Sequence, residues 1–185
     1  MDNGASSYRR FLDRDDSGLT ELVRDYKDGL ILYLNGYVHD IYMAEDLMED
    51  TFFRLMTKKP RFRERYTFKT WLYTIGRNIA LDSIRRNAKQ TVLSPEEMAR
   101  CRAEVYDLEK AYLTEERKIT LHQALDKLHP EYRQVLWLIY FEEMSGREAA
   151  VVLGKNPKQA ANLLYRAKVA LRSQLEKEGF VYEEL

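Results

Sequence analysis

Apolar residues recur every three to four positions along most of the chain, and no stretch alternates apolar and polar residues long enough to predict a strand. This pattern predicts helices at roughly 18–37, 40–57, 67–87, 118–128, 131–142, 146–153 and 157–177. Between these groups of helices the periodicity weakens and charged residues dominate. We therefore expect an all-α protein with two small helical domains joined by a partly helical linker.

The composition is consistent with that organisation. The chain has 185 residues, of which 45% are hydrophobic and 32% charged, as expected for an ordered helical protein. Such a length is enough for two small domains, each with an adequate core. We expect one domain at residues 1–90, a linker at 91–117 and a second domain at 118–185.

Several classes of site are disfavoured by residue usage. The single cysteine, Cys101, excludes an internal disulfide and a multi-cysteine zinc site. The longest apolar runs, 30–34 and 135–141, are too short to span a bilayer. The first residues also lack the apolar core of a signal peptide. These features predict a cytoplasmic protein without direct membrane insertion.

Charge is sorted along the chain, although its formal total is zero. Residues 13–50 carry eleven acidic and three basic side chains, whereas residues 58–89 carry ten basic and two acidic ones. Residues 155–172 add five basic side chains and no acidic one. Each run alone is equally consistent with a solvated helix face. Two basic runs beside an acidic one favour a polyanion partner together with a separate partner that is not nucleic acid.

The predicted helix at 40–57 has one apolar arc and one acidic arc. The apolar arc contains Ala44, Leu47, Met48, Thr51, Phe52 and Leu55. The opposite arc contains Glu45, Asp46, Glu49, Asp50 and Arg54, with Phe53 in its middle. A phenylalanine ringed by charges is typical of a protein–protein hot spot. The alternative is an acidic face in water, with Phe53 packed on a neighbouring helix.

The predicted helix at 67–87 combines core residues with cations and aromatic rings. Its expected core stripe is Phe68, Trp71, Leu72, Ile75 and Ile79. Lys69, Tyr73 and Arg77 fall on the far side, and a basic, aromatic stretch at 61–68 precedes the helix. Cations that follow phosphates, with rings that stack on bases, are what a single-stranded nucleic-acid site requires.

The last third of the chain shows clear helix boundaries. Pro130 opens one helix, Ser145 and Glu148 form a capping box for the next, and Gly154 ends it. Asn156 and Pro157 then start the final helix. This order predicts a helix-turn-helix, with Lys158, Asn162 and Tyr165 as the outward stripe of the last helix. The expected core-facing residues of that helix are Ala160, Leu163, Leu164, Ala167, Ala170 and Leu171. A plain helical hairpin is the alternative.

Three stretches together resemble one family. "AEDLMEDTFFRLM" (44–56), "FKTWLYTIGRNIALDSIRR" (68–86) and the stretch 125–172 occur in the order found in bacterial extracytoplasmic-function (ECF) sigma factors, the compact branch of the sigma-70 class. The resemblance implies an alternative-type sigma factor that directs promoter-specific transcription initiation. Its implied partners are core RNA polymerase, promoter DNA and an anti-sigma protein that holds the factor inactive.

The resemblance also implies which residues bind each partner. The first domain would dock on the beta-prime clamp of core polymerase and capture the melted minus-10 element, with a flipped base held by the loop 63–67. The helix-turn-helix would read the minus-35 element as duplex and contact the beta flap. The implied docking residues are Asp46, Glu49, Asp50, Phe53 and Arg54. The implied minus-10 residues are Arg61, Arg63, Arg65, Tyr66, Thr67, Lys69, Trp71, Tyr73, Arg77, Asn78, Arg85 and Arg86. The implied minus-35 residues are Lys155, Asn156, Lys158, Gln159, Asn162, Tyr165 and Arg166.

The last helix departs from the family at two positions. Many family members have a lysine where this chain has Ala161 and an arginine where it has Leu163. The resemblance leads us to expect that the nearby cations Lys158 and Arg166 compensate in contacts with phosphate.

Other classes of function remain as rivals. A conventional helix-turn-helix regulator would bind a palindrome as a homodimer, but no sustained heptad supplies a dimer seam. A helical interaction module would leave the sorted cations without a role. No phosphate-cradling loop, no pair of nucleophile and base and no metal constellation is evident. We therefore expect no enzyme, no catalytic residue, no metal site, no cofactor and no small-molecule substrate.

Overall fold

The chain divides into two helical units in a computed structural model that describes residues 3–87, 103–105, 108, 121 and 123–177. The N-terminal unit spans Met1–Tyr112 and the C-terminal unit spans Leu113–Leu185. Within the described residues there is no β-strand, and the expected all-α fold is confirmed. None of the described helices combines the length and apolar character needed to cross a membrane.

The helix bounds follow the predicted ones closely. In the N-terminal unit the helices are α1 (Asn3–Leu12), α2 (Ser17–Val38), α3 (Ile41–Lys58) and α4 (Phe68–Asn87). In the C-terminal unit they are α5 (Pro130–Tyr140), α6 (Gly146–Leu153) and α7 (Pro157–Lys177). Residues 123–126 are also helical, within the helix predicted at 118–128. The rest of the predicted linker 91–117, beyond 103–105 and 108, lies outside the described residues, as does 178–185.

The core of the N-terminal unit forms around α2, which packs against each of the other three helices. Residues Leu30 to Leu34 of α2 are all buried, because the helix is covered on several sides. On α3 the predicted apolar arc faces this core, with Ala44, Leu47 and Leu55 fully or nearly fully buried. The prediction of one apolar arc on α3 is therefore confirmed.

Helix α1 is a finding that the periodicity did not predict. Its buried side chains are Ala5, Ser7, Tyr8 and Phe11, and they contact α2 and α4. The spacing of Ala5, Tyr8 and Phe11 is helical, so a signal was present, but only three turns long. Short helices of this kind derive their stability from tertiary packing more than from local preference.

Two glycines allow α1 to approach its neighbours closely. A Cβ on Gly18 of α2 would lie 2.2 Å from the backbone oxygen of Ser7. A Cβ on Gly4 would lie 2.5 Å from the ring of Phe68 and 2.6 Å from the hydroxyl of Tyr26. Gly18 therefore requires glycine because the backbone of α1 occupies the space of a side chain, whereas a side chain at Gly4 would have to displace the rings of Phe68 and Tyr26.

The C-terminal unit packs α5 and α6 against α7 around a small core. Trp137 is buried on α5, its ring stacks on Phe141 at 4.4 Å, and its indole N–H donates to Glu142 at 3.1 Å. The buried guanidinium of Arg133 pairs with Asp126 at 2.7 Å. These polar contacts compensate charged and polar groups that would be costly to bury alone.

The helix-turn-helix boundaries match the predicted ones. Ser145 and Glu148 form the capping box of α6. Gly154 ends α6 in the left-handed region, with φ of 64°, and its N–H bonds back to the last turn. Asn156 caps α7, because its side-chain oxygen accepts from the N–H of Gln159 at 2.9 Å. The short turn thus sets the direction of α7.

The close crossing of α1 and α2 yields a stability prediction. Gly18→Ala should lower the free energy of unfolding by about 2 kcal/mol, because the new methyl group meets backbone that cannot turn away. Urea titration followed by circular dichroism measures this change. Gly146→Ala is the matched control, since nothing lies within 4 Å of its added Cβ. An equal free energy of unfolding in Gly18→Ala and Gly146→Ala would contradict the close approach of α1 and α2.

Candidate nucleic-acid interface

The loop 59–67 between α3 and α4 displays three arginines and a tyrosine to solvent. Lys59 ends α3 in the left-handed region, and Pro60 prevents the helix from continuing. Arg61, Arg63 and Arg65 are exposed, and Tyr66 is 46% exposed. The loop therefore combines cations with an accessible ring, as a site for unpaired bases requires.

Thr67 closes the loop by starting α4. Its hydroxyl oxygen accepts from the N–H of Thr70 at 3.3 Å and lies 2.9 Å from the Thr70 hydroxyl. The side chain of Thr67 is exposed, so it caps α4 at the surface beside Tyr66. Thr67, which is predicted to contact DNA, therefore also fixes the point where the loop ends.

An aromatic cluster holds the loop against the rest of the unit. We use this name for Tyr8, Phe62, Phe68 and Trp71, whose ring centroids in contact lie between 5.2 and 5.7 Å apart. Phe62 belongs to the loop, Phe68 and Trp71 to α4, and Tyr8 to α1. The rings meet at tilted or edge-on angles, which are favourable for aromatic pairs.

Sequence reasoning missed Tyr8, which is 1% exposed. Its hydroxyl donates to the carbonyl oxygen of Pro60 at 2.7 Å, a contact across 52 residues of chain. Burial raises the pKa of Tyr8 to about 12, so the hydroxyl keeps its proton and its bond to Pro60 well into the alkaline range. No local pattern encodes this contact, although the apolar spacing of α1 could have pointed to the ring.

The predicted DNA-binding residues of helix α4 differ in how far they are exposed to solvent. Asn78, Arg85 and Arg86 are exposed, and Arg85 pairs with Asp82 at 3.2 Å. The remaining predicted residues Lys69, Trp71 and Arg77 are half-buried. The exposed cations therefore concentrate in the loop and at the C-terminal end of α4.

The prediction that Tyr73 faces outward was wrong. Tyr73 is 1% exposed and its ring lies 5.2 Å from that of Tyr33 on α2. The buried arc of α4 is rotated toward Tyr73 and includes the small residues Gly76 and Ala80. A Cβ on Gly76 would lie 3.1 Å from Leu30 of α2 and 3.4 Å from Thr51 of α3. Stacking of Tyr73 on a base is excluded in this conformation. Tyr66 is the accessible ring of this region.

The outward face of α3 carries the predicted docking residues together. Asp46, Glu49, Asp50, Phe53 and Arg54 are all exposed, and Phe53 is 58% exposed. The alternative in which Phe53 packs on a neighbouring helix is therefore wrong for this structure. Burial raises the pKa of neighbouring Glu45, and the carboxylates of Glu104 and Glu49 add to that rise. The ring of Phe53 thus stands in a negatively charged surface.

An open groove of about 530 Å³ separates this face from the end of α4. Asp50 and Arg54 line one side, and Arg85 and Arg86 line the other. The predicted docking residues and some predicted minus-10 residues are thereby brought side by side. No group of three or more His, Cys, Asp or Glu side chains suited to a metal ion occurs in the part of the chain that is described.

In the C-terminal unit, one side of α7 is buried and the other faces solvent. Ala160, Leu163, Ala167 and Leu171 are buried, as predicted. The predicted minus-35 residues on the other side are exposed, with Tyr165 at 71%. They are Asn156, Lys158, Gln159, Asn162, Tyr165 and Arg166. Leu163 is 8% exposed, so this position of α7 faces the core.

Three of the predicted minus-35 residues are already engaged within the protein. Asn156 and Gln159 cap each other reciprocally, because the N–H of Asn156 donates to the Gln159 side chain at 3.0 Å. Lys155 is half-buried and pairs with Glu131 at 3.0 Å. Lys158, Asn162 and Tyr165 form the stripe that points farthest from the core. This is the outward stripe that the helical periodicity predicted, and the structure shows all three side chains exposed.

The fold and these surfaces define a two-part helical DNA-binding protein. One unit carries a basic, aromatic loop, and the other carries a helix-turn-helix with a cationic last helix. Comparison with known families agrees with this division. Sigma-70 region 2 matches residues 22–90, and sigma-70 region 4 matches residues 118–171.

Similar proteins of known class are sigma factors of bacterial RNA polymerase. The RNA polymerase sigma factor YlaC of Bacillus subtilis is 31% identical over 160 residues, which cover 86% of this chain and 92% of that protein. The ECF RNA polymerase sigma factor SigE of Mycolicibacterium smegmatis is 33% identical over 163 residues. Those residues cover 86% of this chain and 62% of that longer relative.

A solved structure shows the same fold. The sigma factor RpoE of Bartonella quintana, solved in complex with the anti-sigma factor NepR, aligns with a TM-score of 0.61. The sequence identity is 19%, and the alignment covers 90% of this chain and 98% of that one. The chain therefore belongs to the extracytoplasmic-function branch of the sigma-70 family. It is an alternative sigma factor, and its family consists of transcription initiation factors rather than known enzymes.

Burial of Tyr8 predicts a loss of stability at alkaline pH. Between pH 10 and about 12 the unfolded chain releases the tyrosine proton while the folded chain keeps it, so rising pH favours unfolding. Tyr8→Phe should flatten the decline of the free energy of unfolding with pH by one proton over this range. Urea titrations at several alkaline pH values measure the slope. Tyr165→Phe is the control, since its ring is already in water, and an equal slope for wild type and Tyr8→Phe would contradict the prediction.

Proposed function

We propose that this sigma factor reads the minus-10 element as a melted strand with its N-terminal unit and the minus-35 element as duplex with its C-terminal unit. The observation that carries the proposal is the contrast between the two cationic surfaces. The loop 59–67 offers arginines beside the exposed ring of Tyr66, whereas α7 offers a straight stripe on a helix-turn-helix. Rings recognise bases only after melting, while a helix fits the major groove of a duplex.

For the minus-10 strand, we assign phosphate contacts to the cations and base contacts to Tyr66 and its neighbours. The residues that support this assignment by exposure are Arg61, Arg63, Arg65, Tyr66, Thr67, Asn78, Arg85 and Arg86. Half-buried Lys69, Trp71 and Arg77 contribute from the edge of the site. A base flipped out of the strand would lie against the loop 63–67, where Tyr66 supplies a stacking surface.

For the minus-35 duplex, we assign base reading to the outward stripe of α7. Asn162 offers an amide that suits adenine, and Lys158 offers a cation for guanine or phosphate. Tyr165 and Arg166 flank this stripe and suit phosphate contacts. Asn156 and Gln159 support the helix start, and Lys155 is held by Glu131.

We assign docking on core RNA polymerase to the outward face of α3, with the beta-prime clamp as its partner. An exposed phenylalanine among carboxylates combines an apolar anchor with a charged rim. The beta flap is the corresponding partner of the C-terminal unit. Residues 1–90 and 118–185 would act as the two binding domains, with 91–117 as the linker between them, in the cytoplasm.

An anti-sigma protein is a further proposed partner. The related RpoE of Bartonella quintana was solved in complex with such a factor. Sequestration would require a tight one-to-one complex under non-inducing conditions. Isolation of this protein from cells, followed by mass spectrometry, identifies what it is bound to. Recovery of free protein and polymerase alone would count against an anti-sigma partner.

The deciding experiment is transcription in vitro with core polymerase from the source organism and fragmented genomic DNA. Addition of this protein should give discrete new transcripts whose upstream sequences share two motifs, near minus-10 and minus-35. A self-contained regulator would instead bind duplex DNA without polymerase. Absence of both transcripts and core binding would reject the proposal.

Phe53→Ala tests the docking face. Loss of the exposed ring should weaken binding to core polymerase by about 2 kcal/mol, the size expected of an interface hot spot. Titration of labelled protein with core polymerase measures the affinity. Leu12→Ala is the matched control, because Leu12 is another exposed apolar side chain of the same unit. If Phe53→Ala binds like Leu12→Ala, Phe53 lies outside the interface.

Lys158→Ala and Asn162→Ala test the reading stripe of α7. Loss of Asn162 should reduce discrimination against one altered base pair of the minus-35 motif by about 1–3 kcal/mol. As a phosphate contact, Lys158 should contribute to binding whatever the base sequence. Lys158→Ala should therefore weaken binding to many sequences by a similar factor and lower the slope of log affinity against log salt concentration by about one. Holoenzyme binding to duplex promoters at several salt concentrations separates the two effects. Lys177→Ala, at the far end of α7, is the control, and wild-type discrimination in Asn162→Ala would reject its role.

A further inference from the structure

Helix α1 holds the loop 59–67 at two places. The match to sigma-70 region 2 begins at residue 22, so α1 precedes it entirely. Tyr8 donates its hydroxyl to Pro60, and Arg9 pairs with Glu64 at 3.5 Å. One helix thus contacts the first residues of the loop and also its middle.

These contacts differ in strength. Arg9 and Glu64 are 64% and 59% exposed, so their ion pair contributes little in water. The ammonium of Lys59 lies 5.0 Å from the ring of Phe11, which adds a modest cation–π attraction. The Tyr8 hydroxyl bond is different, because the ring that carries it is buried within the aromatic cluster and has little freedom to turn away. Tyr8 is therefore the firmest link between α1 and the loop.

The loop depends on such outside support. Residues 60–66 form neither helix nor strand, so no regular hydrogen-bond pattern fixes their backbone. Arg61, Arg63 and Arg65 also repel one another, which favours an open, fluctuating loop. Glu64, between two of them, has a left-handed backbone with φ of 45°. Contacts from α1 and from Phe62 are what hold these residues in one shape.

We propose that Tyr8 is a positioning residue for minus-10 recognition, which acts through the carbonyl of Pro60 to keep the loop 59–67 in its strand-binding shape. The inference rests on the proposed function, because it assigns the loop to the melted strand. It adds a residue outside the matched family regions to the determinants of promoter opening. Tyr8 itself, being buried, touches no DNA.

The test removes the hydrogen bond and keeps the ring. Tyr8→Phe preserves the aromatic packing with Phe68 and Trp71 but leaves Pro60 without its donor. Tyr37→Phe is the matched control. Its hydroxyl lies 2.9 Å from that of Tyr33 in the same unit, in a contact that does not involve the loop. Any general effect of losing one tyrosine hydroxyl appears in both variants.

The first readout concerns the loop alone. Brief trypsin digestion of the full chain, followed by mass spectrometry, gives the rates of cleavage after Arg61, Arg63 and Arg65. Cleavage requires the loop to open locally, so the rates report the open population. In Tyr8→Phe they should rise about fivefold, the effect expected from the loss of one intramolecular hydrogen bond. In Tyr37→Phe they should match wild type.

The second readout concerns function. Holoenzyme binding is measured to a single-stranded oligonucleotide that carries the minus-10 motif found in the transcripts, and separately to a minus-35 duplex. Tyr8→Phe should bind the strand about fivefold more weakly and keep wild-type affinity for the duplex and for core polymerase. A general folding defect would lower all three affinities.

The outcomes separate the inference from the proposed function. Wild-type cleavage of the Tyr8→Phe loop overturns the positioning role. Faster cleavage with wild-type strand binding overturns the link to minus-10 recognition. If wild type itself neither binds core polymerase nor the strand, the proposed function fails, and the cleavage rates still decide whether Tyr8 positions the loop.

Discussion

The contact on which the N-terminal unit depends is the aromatic cluster between α1, the loop 59–67 and α4. A loop with three exposed arginines gains little by folding on itself, because its charges repel and its backbone has no regular partners. Phe62 offsets this cost, because its ring packs against Phe68 and Trp71, and Phe68 in turn packs against Tyr8. Each such ring pair contributes about 1 kcal/mol beyond its buried area. Because Phe68 and Trp71 begin α4, the same rings also fix where the helix that follows the loop starts. Three rings of the cluster, Phe62, Phe68 and Trp71, and the arginines of the loop therefore belong to one continuous segment.

In the proposed function, two helices each serve two surfaces, so that one small unit binds both polymerase and DNA. α3 buries one arc against α2 and leaves the opposite arc, with Phe53, for a protein partner. α4 buries its arc against the same core and leaves its end, with Arg85 and Arg86, at the far side of the groove. The groove between these surfaces is lined by both signs of charge, with Asp50 and Arg54 on one side and Asp82, Arg85 and Arg86 on the other. In the proposed function the protein partner and the DNA therefore approach each other across a single groove.

Sequence patterns predicted the described helices well where large apolar residues mark a single buried face. On α7 that condition holds, so both its buried residues and its exposed stripe were found. On α4 it fails, because the buried arc includes Gly76 and Ala80, which carry little weight in a hydrophobic pattern although small residues allow α2 and α3 to approach closely. The error placed Tyr73 in solvent. The bond from Tyr8 to Pro60 was beyond any such pattern, since it joins residues 52 apart in the chain. The predicted domain boundaries and the DNA and polymerase contacts remain predictions.

In the proposed function, in which α7 reads the minus-35 element, the reciprocal cap at the start of α7 limits which substitutions can change promoter preference. Asn156 and Gln159 cap the first turn of the helix, so a substitution of either residue alters the stability of the unit as well as any contact with DNA. Lys158 and Asn162 lie on the same turns but face away from the core, and their replacement leaves the cap intact. Duplicated copies of such a gene can therefore diverge at the outward positions while the capping pair stays fixed. New specificities would arise by substitution at a few solvent-facing sites, without compensating changes in the interior.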